Sequence, residues 1–149
     1  MADPFPHRYE AHVKLEAPGQ GLLSGPGLPP LRGGPPPQFG GAPGLWSPEH
    51  LLLSAANLCL MTTFLSVAAR ARLSVSGYES RAAATLDKTA EGLVFTEIAL
   101  EVSVWVAEPD REKAETLLVS AKKYCIVSNA LKVPVAVKST VIASLASAS

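Results

Sequence analysis

Residues 47–73, SPEHLLLSAANLCLMTTFLSVAARARL, decide the fold. Ser47 is a good N-cap, Pro48 suits a first helical position, and Glu49 sets a negative charge against the positive end of a helix. Arg70 and Arg72 stand where cations favour the other end. No charged residue interrupts the run from Leu51 to Ala69. Leu52, Ala55, Ala56, Cys59, Thr63 and Phe64 recur at helical steps, yet Leu51, Leu58, Leu65 and Ala69 make the opposite face apolar as well. A helix apolar all round is either a membrane span or the centre of a larger soluble body. Ser54, Asn57, Thr62, Thr63 and Ser66 make this run too polar-flecked for a typical span, and alternating β patterns follow it. The expectation is a buried central helix over 47–73, with small residues that admit a second helix closely.

Outward from this helix, the 149-residue chain fits one domain, taken as 1–149. Its formal net charge of zero gives no reason to expect nucleic acid or a membrane surface as partner. His7, His12 and His50 lack metal-ligand spacing. Cys59 and Cys125 form neither a CxxC motif nor a secreted disulfide framework. The N-terminal residues MADPFPHRYE lack an apolar core, so no signal peptide is expected and cytoplasmic is the default location.

Arg8 to Glu16 alternates Tyr9, Ala11, Val13 and Leu15 with polar residues, which reads as a half-buried strand. Residues 17–46 hold most of the glycines and prolines and read as a long loop. Within it, an irregular edge strand around Gly21 to Leu31 completes a hairpin, and Phe39 and Trp46 are the apolar anchors. A long loop next to a thiol-bearing helix suits an active-site cover. After the helix, Ser74–Leu86 and Val94–Val106 read as strands, the second with Phe95 and Trp105 on its more polar face, as if another chain partly covered it. Pro109–Tyr124 reads as a helix with Asp110 and Glu112 in its first turn and Lys122 and Lys123 in its last. Its stripe of Ala114, Leu117, Leu118 and Ala121 continues to Cys125, which therefore points inward, as Cys59 does. A turn or short helix and a last strand from Val133 to Ala143 complete an α+β order without crossover repeats.

Two inward thiols and a first-turn carboxylate are the one constellation with chemistry in it. By residue type alone, both cysteines suit small core hydrophobes, and Glu49 suits a residue that stabilises the helix dipole.

SPEHLLLSAANLCLMTTF (47–64) and KKYCIVSNAL (122–131), with Phe39-Gly-Gly before Trp46-Ser-Pro-Glu, resemble the two signature regions of the OsmC/Ohr family, the osmotically inducible and organic hydroperoxide resistance proteins. The Cys-x-Val-Ser-Asn-Ala-Leu form is more similar to the OsmC-like branch. The resemblance implies an α+β OsmC-like fold, two buried central helices flanked by antiparallel sheets in an intertwined homodimer. It implies a thiol-dependent peroxidase acting on organic hydroperoxides without metal or bound cofactor. Cys59 would be peroxidatic and become a sulfenic acid, and Cys125 would resolve it into a disulfide for a cellular dithiol to reduce. Leu58, Met61, Phe64 and Phe39 would line the site. Glu49 lies ten residues before Cys59, about 15 Å along one helix axis. It would therefore act on the thiol of a second copy across an antiparallel helix pair, giving shared active sites.

One departure concerns a cation. The family's peroxidases hold the thiolate and peroxide with an arginine, and Gln38 stands at that place here. Arg32 on the loop is the nearest substitute, Arg8 a more remote one; an exposed, solvated residue is the plain account of Arg32. Without a cation, a buried Cys59 is expected to have a raised pKa and to react slowly. The competing reading is a non-enzymatic relative that binds an apolar small molecule or senses oxidants; a third is a purely structural dimer with inert thiols.

Overall fold

The computed structural model describes residues 3–144. It forms two compact units, Met1–Leu52 and Leu53–Ser149, with the boundary inside the long helix.

The first unit holds three strands, β1 (His12–Ala17), β2 (Gln20–Gly25) and β3 (Leu28–Gly33), as an antiparallel meander with β2 in the centre. The stretch expected to be loop with one irregular edge strand thus holds two strands in its first half. Its turns are Pro18-Gly19 and Pro26-Gly27, and both glycines take positive φ, 71° and 72°. A proline that fixes φ before a glycine free to adopt the left-handed region is the chemistry of a tight reversal. Pro29 and Pro30 are accommodated because β3 is an edge strand whose register with β2 shifts between Leu23 and Gly25, so that neither proline falls on a ladder partner. Strand β1 is not half-buried: Val13 and Leu15 are both exposed. After β3 the chain makes a 3-10 turn, Pro37–Phe39, and Gly34 N–H donates to the Trp46 carbonyl at 2.9 Å. Gly41 N–H donates to Pro36 O, and a Cβ on Gly41 would run into the Pro35 carbonyl, so this turn requires glycine.

Helix α1 (Pro48–Arg70) begins where the sequence places it. The buried Ser47 hydroxyl accepts the His50 N–H at 3.1 Å and lies 2.6 Å from His50 Nδ1. By length and composition α1 is apolar enough to cross a membrane.

The second unit contains the rest of α1, then β4 (Val75–Thr89), β5 (Gly92–Ala107), α2 (Arg111–Tyr124), the short α3 (Ile126–Ala130) and β6 (Val135–Ser144). Strands β4 and β5 are antiparallel, whereas β6 pairs parallel to β5, so this sheet is mixed where antiparallel pairing was expected. Two helices and a chain reversal between β5 and β6 bring the last strand back in the direction of β5. Ile98, Leu100, Val102, Val104 and Val106 of β5 form one buried ridge, packed with Leu60, Phe64 and Ala68 of α1 and Ala114, Leu118 and Ala121 of α2. Arg111 fastens α2 to the last strand by donating to the Val141 carbonyl at 3.0 Å.

Only one stripe of α1 is buried (Ala56, Leu60, Phe64 and Ala68), while Leu58 is 58% and Leu65 38% exposed. A single sheet can cover only one side of a cylinder, so the opposite apolar face stays open. Trp105 packs across the pair it forms with Gly77, where an added Cβ would sit 3.1 Å from its ring.

Candidate functional site

Helical period brings Cys59 and Cys125 together in the second unit. Cys125 follows the last turn of α2 and is 1% exposed, while Cys59, at the edge of the buried stripe of α1, is partly open. Both are free thiols. Cys125 is extended, with ψ 107°, and serves as the N-cap of α3. Its thiol lies 3.2 Å from Ser128 Oγ, and its carbonyl accepts the Asn129 N–H at 3.0 Å. Asn129 Nδ2 in turn donates to the Lys123 carbonyl and ties α3 to the end of α2.

Burial pushes the Cys59 thiol up. Hydrogen bonding from the Val127 amide, the Cys125 thiol, the Thr63 hydroxyl and the Ile126 amide outweighs it, and the thiol ends below its ordinary value of 9.0. Thr63 sits one turn along α1, with Oγ1 4.0 Å from the Cys59 sulfur. The amides of Ile126 and Val127 belong to the first turn of α3, where N–H groups have no intrahelical acceptor and suit a negative charge. This corrects the expectation of a raised pKa. The needed donors come from backbone in the Cys125-Ile-Val-Ser segment rather than from a cationic side chain. Sequence reasoning missed them because amides carry no residue signature; the only trace was the short helix after Cys125.

The lowered thiol has a testable consequence. Alkylation of Cys59 by iodoacetamide, followed in Cys125→Ser, is expected to titrate with a midpoint below 9.0. A group whose folded pKa is depressed contributes stability that is present above the unfolded value and lost as pH falls through the folded one. Stability should therefore rise with pH across that window, and a flat profile in thermal melts would contradict the assignment.

Tyr78 on β4 is a second feature absent from the sequence reading. Its ring lies 5.9 Å from Phe64, and its hydroxyl is buried without a hydrogen-bond partner. Burial is the largest effect on the phenol and pushes it up. An unpaired buried hydroxyl costs roughly 1–3 kcal/mol. Tyr78→Phe is accordingly expected to raise unfolding stability by about 1 kcal/mol, measured by denaturant melts; a loss of stability would mean that the hydroxyl is satisfied.

The other residues singled out in the sequence lie as follows. Phe64, expected to line the site, is fully buried in the core against the β5 ridge. Leu58 and Met61 do line a recess, of about 260 Å³, with Ser54, Asn57 and Tyr78. In the first unit, Arg32 belongs to β3 rather than to a loop. It is 67% exposed and paired with Glu16 at 3.1 Å. Gln38 is exposed in the 3-10 turn. Phe39 and Trp46 are not buried anchors: both are about half exposed and line a cavity of about 530 Å³ together with Val13, Leu23, Leu51 and Glu49. The Glu49 Oε2 atom is buried and has no hydrogen-bond partner.

Residues 41–140 match the family model described as OsmC-like protein. The fold is similar to an OsmC-like protein of unknown function from Vibrio cholerae, with TM-score 0.82 and 20% identity over 91% of this chain and 100% of that one. It is also similar to an organic hydroperoxide resistance protein OsmC from Legionella pneumophila, with TM-score 0.70 and 23% identity over 93% and 98%. An organic hydroperoxide resistance protein from Elizabethkingia anophelis matches with TM-score 0.74 and 20% identity over 94% and 99%. No curated protein matches the chain.

Proposed function

The chain belongs to the OsmC-like protein family, and within it we propose that this protein is a thiol-dependent peroxidase for organic hydroperoxides, working in the cytoplasm. The observation that carries the proposal is a partly open Cys59, with hydroxyl, amide and thiol donors around its sulfur, beside a buried Cys125 held by Ser128. The Cys59 thiolate attacks the terminal peroxide oxygen and the O–O bond breaks. With one proton taken up, the products are the alcohol and a Cys59 sulfenic acid. The Cys125 thiol then displaces that hydroxyl as water and forms the Cys59–Cys125 disulfide. A cellular dithiol exchanges with the disulfide, is itself oxidised, and restores both thiols.

A homodimer with shared sites belongs to the same proposal. The open apolar face of α1, with Leu58 and Leu65, supports it, since such a face favours a partner over water. Glu49 would then act on Cys59 of the partner subunit, in support of the reaction. Arg32 is the remaining candidate cation, and its pairing with Glu16 favours a structural role for it. That pairing, with Gln38 in the arginine's place, also supports the second reading, a non-enzymatic relative that binds an apolar small molecule. The deciding experiment is intact mass and free-thiol count after one equivalent of an alkyl hydroperoxide. Rapid loss of both thiols with the mass of one disulfide supports the peroxidase, whereas thiols that persist for hours leave the binding protein.

A further inference from the structure

The recess between α1 and β4, of about 260 Å³, brings a sulfur and an idle hydroxyl to one opening. Met61, Leu58, Asn57, Tyr78 and Ser80 are among the residues that line it. Asn57 and Ser80 are bonded to each other: the Ser80 hydroxyl donates to Asn57 Oδ1, and Asn57 Nδ2 donates to the Ser80 carbonyl. The Tyr78 hydroxyl is buried and has no partner. The thioether of Met61 is too weak an acceptor to serve as one. Met61 follows Cys59 by two residues, which turns it about 200° round the helix from the thiol. It is therefore a sulfur outside the Cys59–Cys125 pair, half-buried at an opening of its own.

From this we propose that Met61 is an oxidation site, converted by a hydroperoxide to a sulfoxide whose oxygen accepts the hydrogen bond that the Tyr78 hydroxyl lacks. The thioether sulfur attacks the terminal peroxide oxygen, the O–O bond breaks, and the sulfur is oxidised to S=O. The proton of the terminal oxygen passes to the leaving oxygen, so the peroxide departs as its alcohol. A sulfoxide is polar and ordinarily disrupts apolar packing. Here the recess has room for the added oxygen, and the hydroxyl offers it a donor. An unpaired buried hydroxyl is costly, so a partner gained on oxidation offsets part of the disruption. A methionine sulfoxide reductase restores the thioether. The oxidant class comes from the proposed function, but neither cysteine takes part, and the site responds to peroxide that the thiols leave unconsumed.

The test uses the full-length Cys59→Ser/Cys125→Ser protein with excess tert-butyl hydroperoxide, so that failure here and failure of the peroxidase reading are separate outcomes. The chain has two methionines, Met1 and Met61, and peptide mapping separates them. Met61 is expected to gain one oxygen at a rate within about ten-fold of that of N-acetylmethionine amide in the same tube. Met61→Leu should abolish that gain. Denaturant melts of the reduced and oxidised forms follow, and are repeated with Tyr78→Phe added. Oxidation is expected to lower the folding equilibrium constant about five-fold less when Tyr78 is present than in Tyr78→Phe. A phenol with a merely structural role would shift both forms equally. Met61 left intact while the free methionine is consumed, or an oxidation penalty as large with Tyr78 as in Tyr78→Phe, would overturn the proposal.

Discussion

Cys59→Ser is expected to abolish hydroperoxide consumption, with a loss of about a thousand-fold or more, because the nucleophile itself is gone. The hydroxyl left behind is far less nucleophilic than a thiolate, and the donors at Thr63, Ile126 and Val127 cannot compensate. Cys125→Ser should behave differently. The first turnover proceeds and stops at a Cys59 sulfenic acid, which is detectable by a dimedone adduct and adds one oxygen to the mass. No intramolecular disulfide forms, and turnover by a dithiol falls. Stopped-flow consumption of an alkyl hydroperoxide together with mass spectrometry reads both variants. Equal single-turnover rates in wild type and Cys59→Ser would remove Cys59 from the reaction.

The largest effect on stability is expected at Phe64. Its ring is fully buried between α1 and the β5 ridge, so Phe64→Ala should cost roughly 3–5 kcal/mol through lost transfer energy and the void left behind. Leu58→Ala, six residues earlier on the same helix, provides the contrast. With its side chain 58% exposed, the substitution should cost well under about 1 kcal/mol in an isolated chain. If a second copy covers that face, the cost grows and the melting temperature of the wild type rises with protein concentration. Denaturant melts at two concentrations decide this, and a Leu58→Ala penalty that is negligible at both, with no concentration dependence, would count against the dimer.

Much of this architecture could be read from local chemistry. Ser47, Pro48 and Glu49 announce the start of α1, and the four-residue steps from Ala114 to Cys125 aim the second thiol inward. Three features could not be read that way. The period-two pattern of β6 is the same for either strand direction, so nothing in VAVKSTVIAS distinguishes a parallel neighbour from an antiparallel one. Pro18-Gly19 and Pro26-Gly27 are turn signals, but the prolines of β3 masked the strand between and after them. Phe64 and Met61 lie three residues apart on an all-apolar helix. Only the position of the sheet settles that Phe64 faces the core while Met61 borders an opening. The site followed the same division. The two sulfurs were visible in the sequence; the amides that lower one of them, and the unpartnered carboxylate oxygen, depend on backbone placement.

The parallel pairing of β6 with β5 also sets an order of events during folding. Strands β4 and β5 are joined by a short turn at Ala90-Glu91, so their ladder can close early and locally. The other edge of β5 waits until α2 and α3 have turned the chain around, because Ile98 pairs with Val135 and Val104 with Val141. Contacts so distant in sequence form late, since the entropy of closing the loop comes before any reward. Until then the most apolar strand of the protein presents an unpaired edge to its surroundings. The vulnerable interval of this chain therefore lies before the last strand docks, and substitutions that weaken the α2–β6 attachment at Arg111 should raise aggregation during refolding more than they lower final stability.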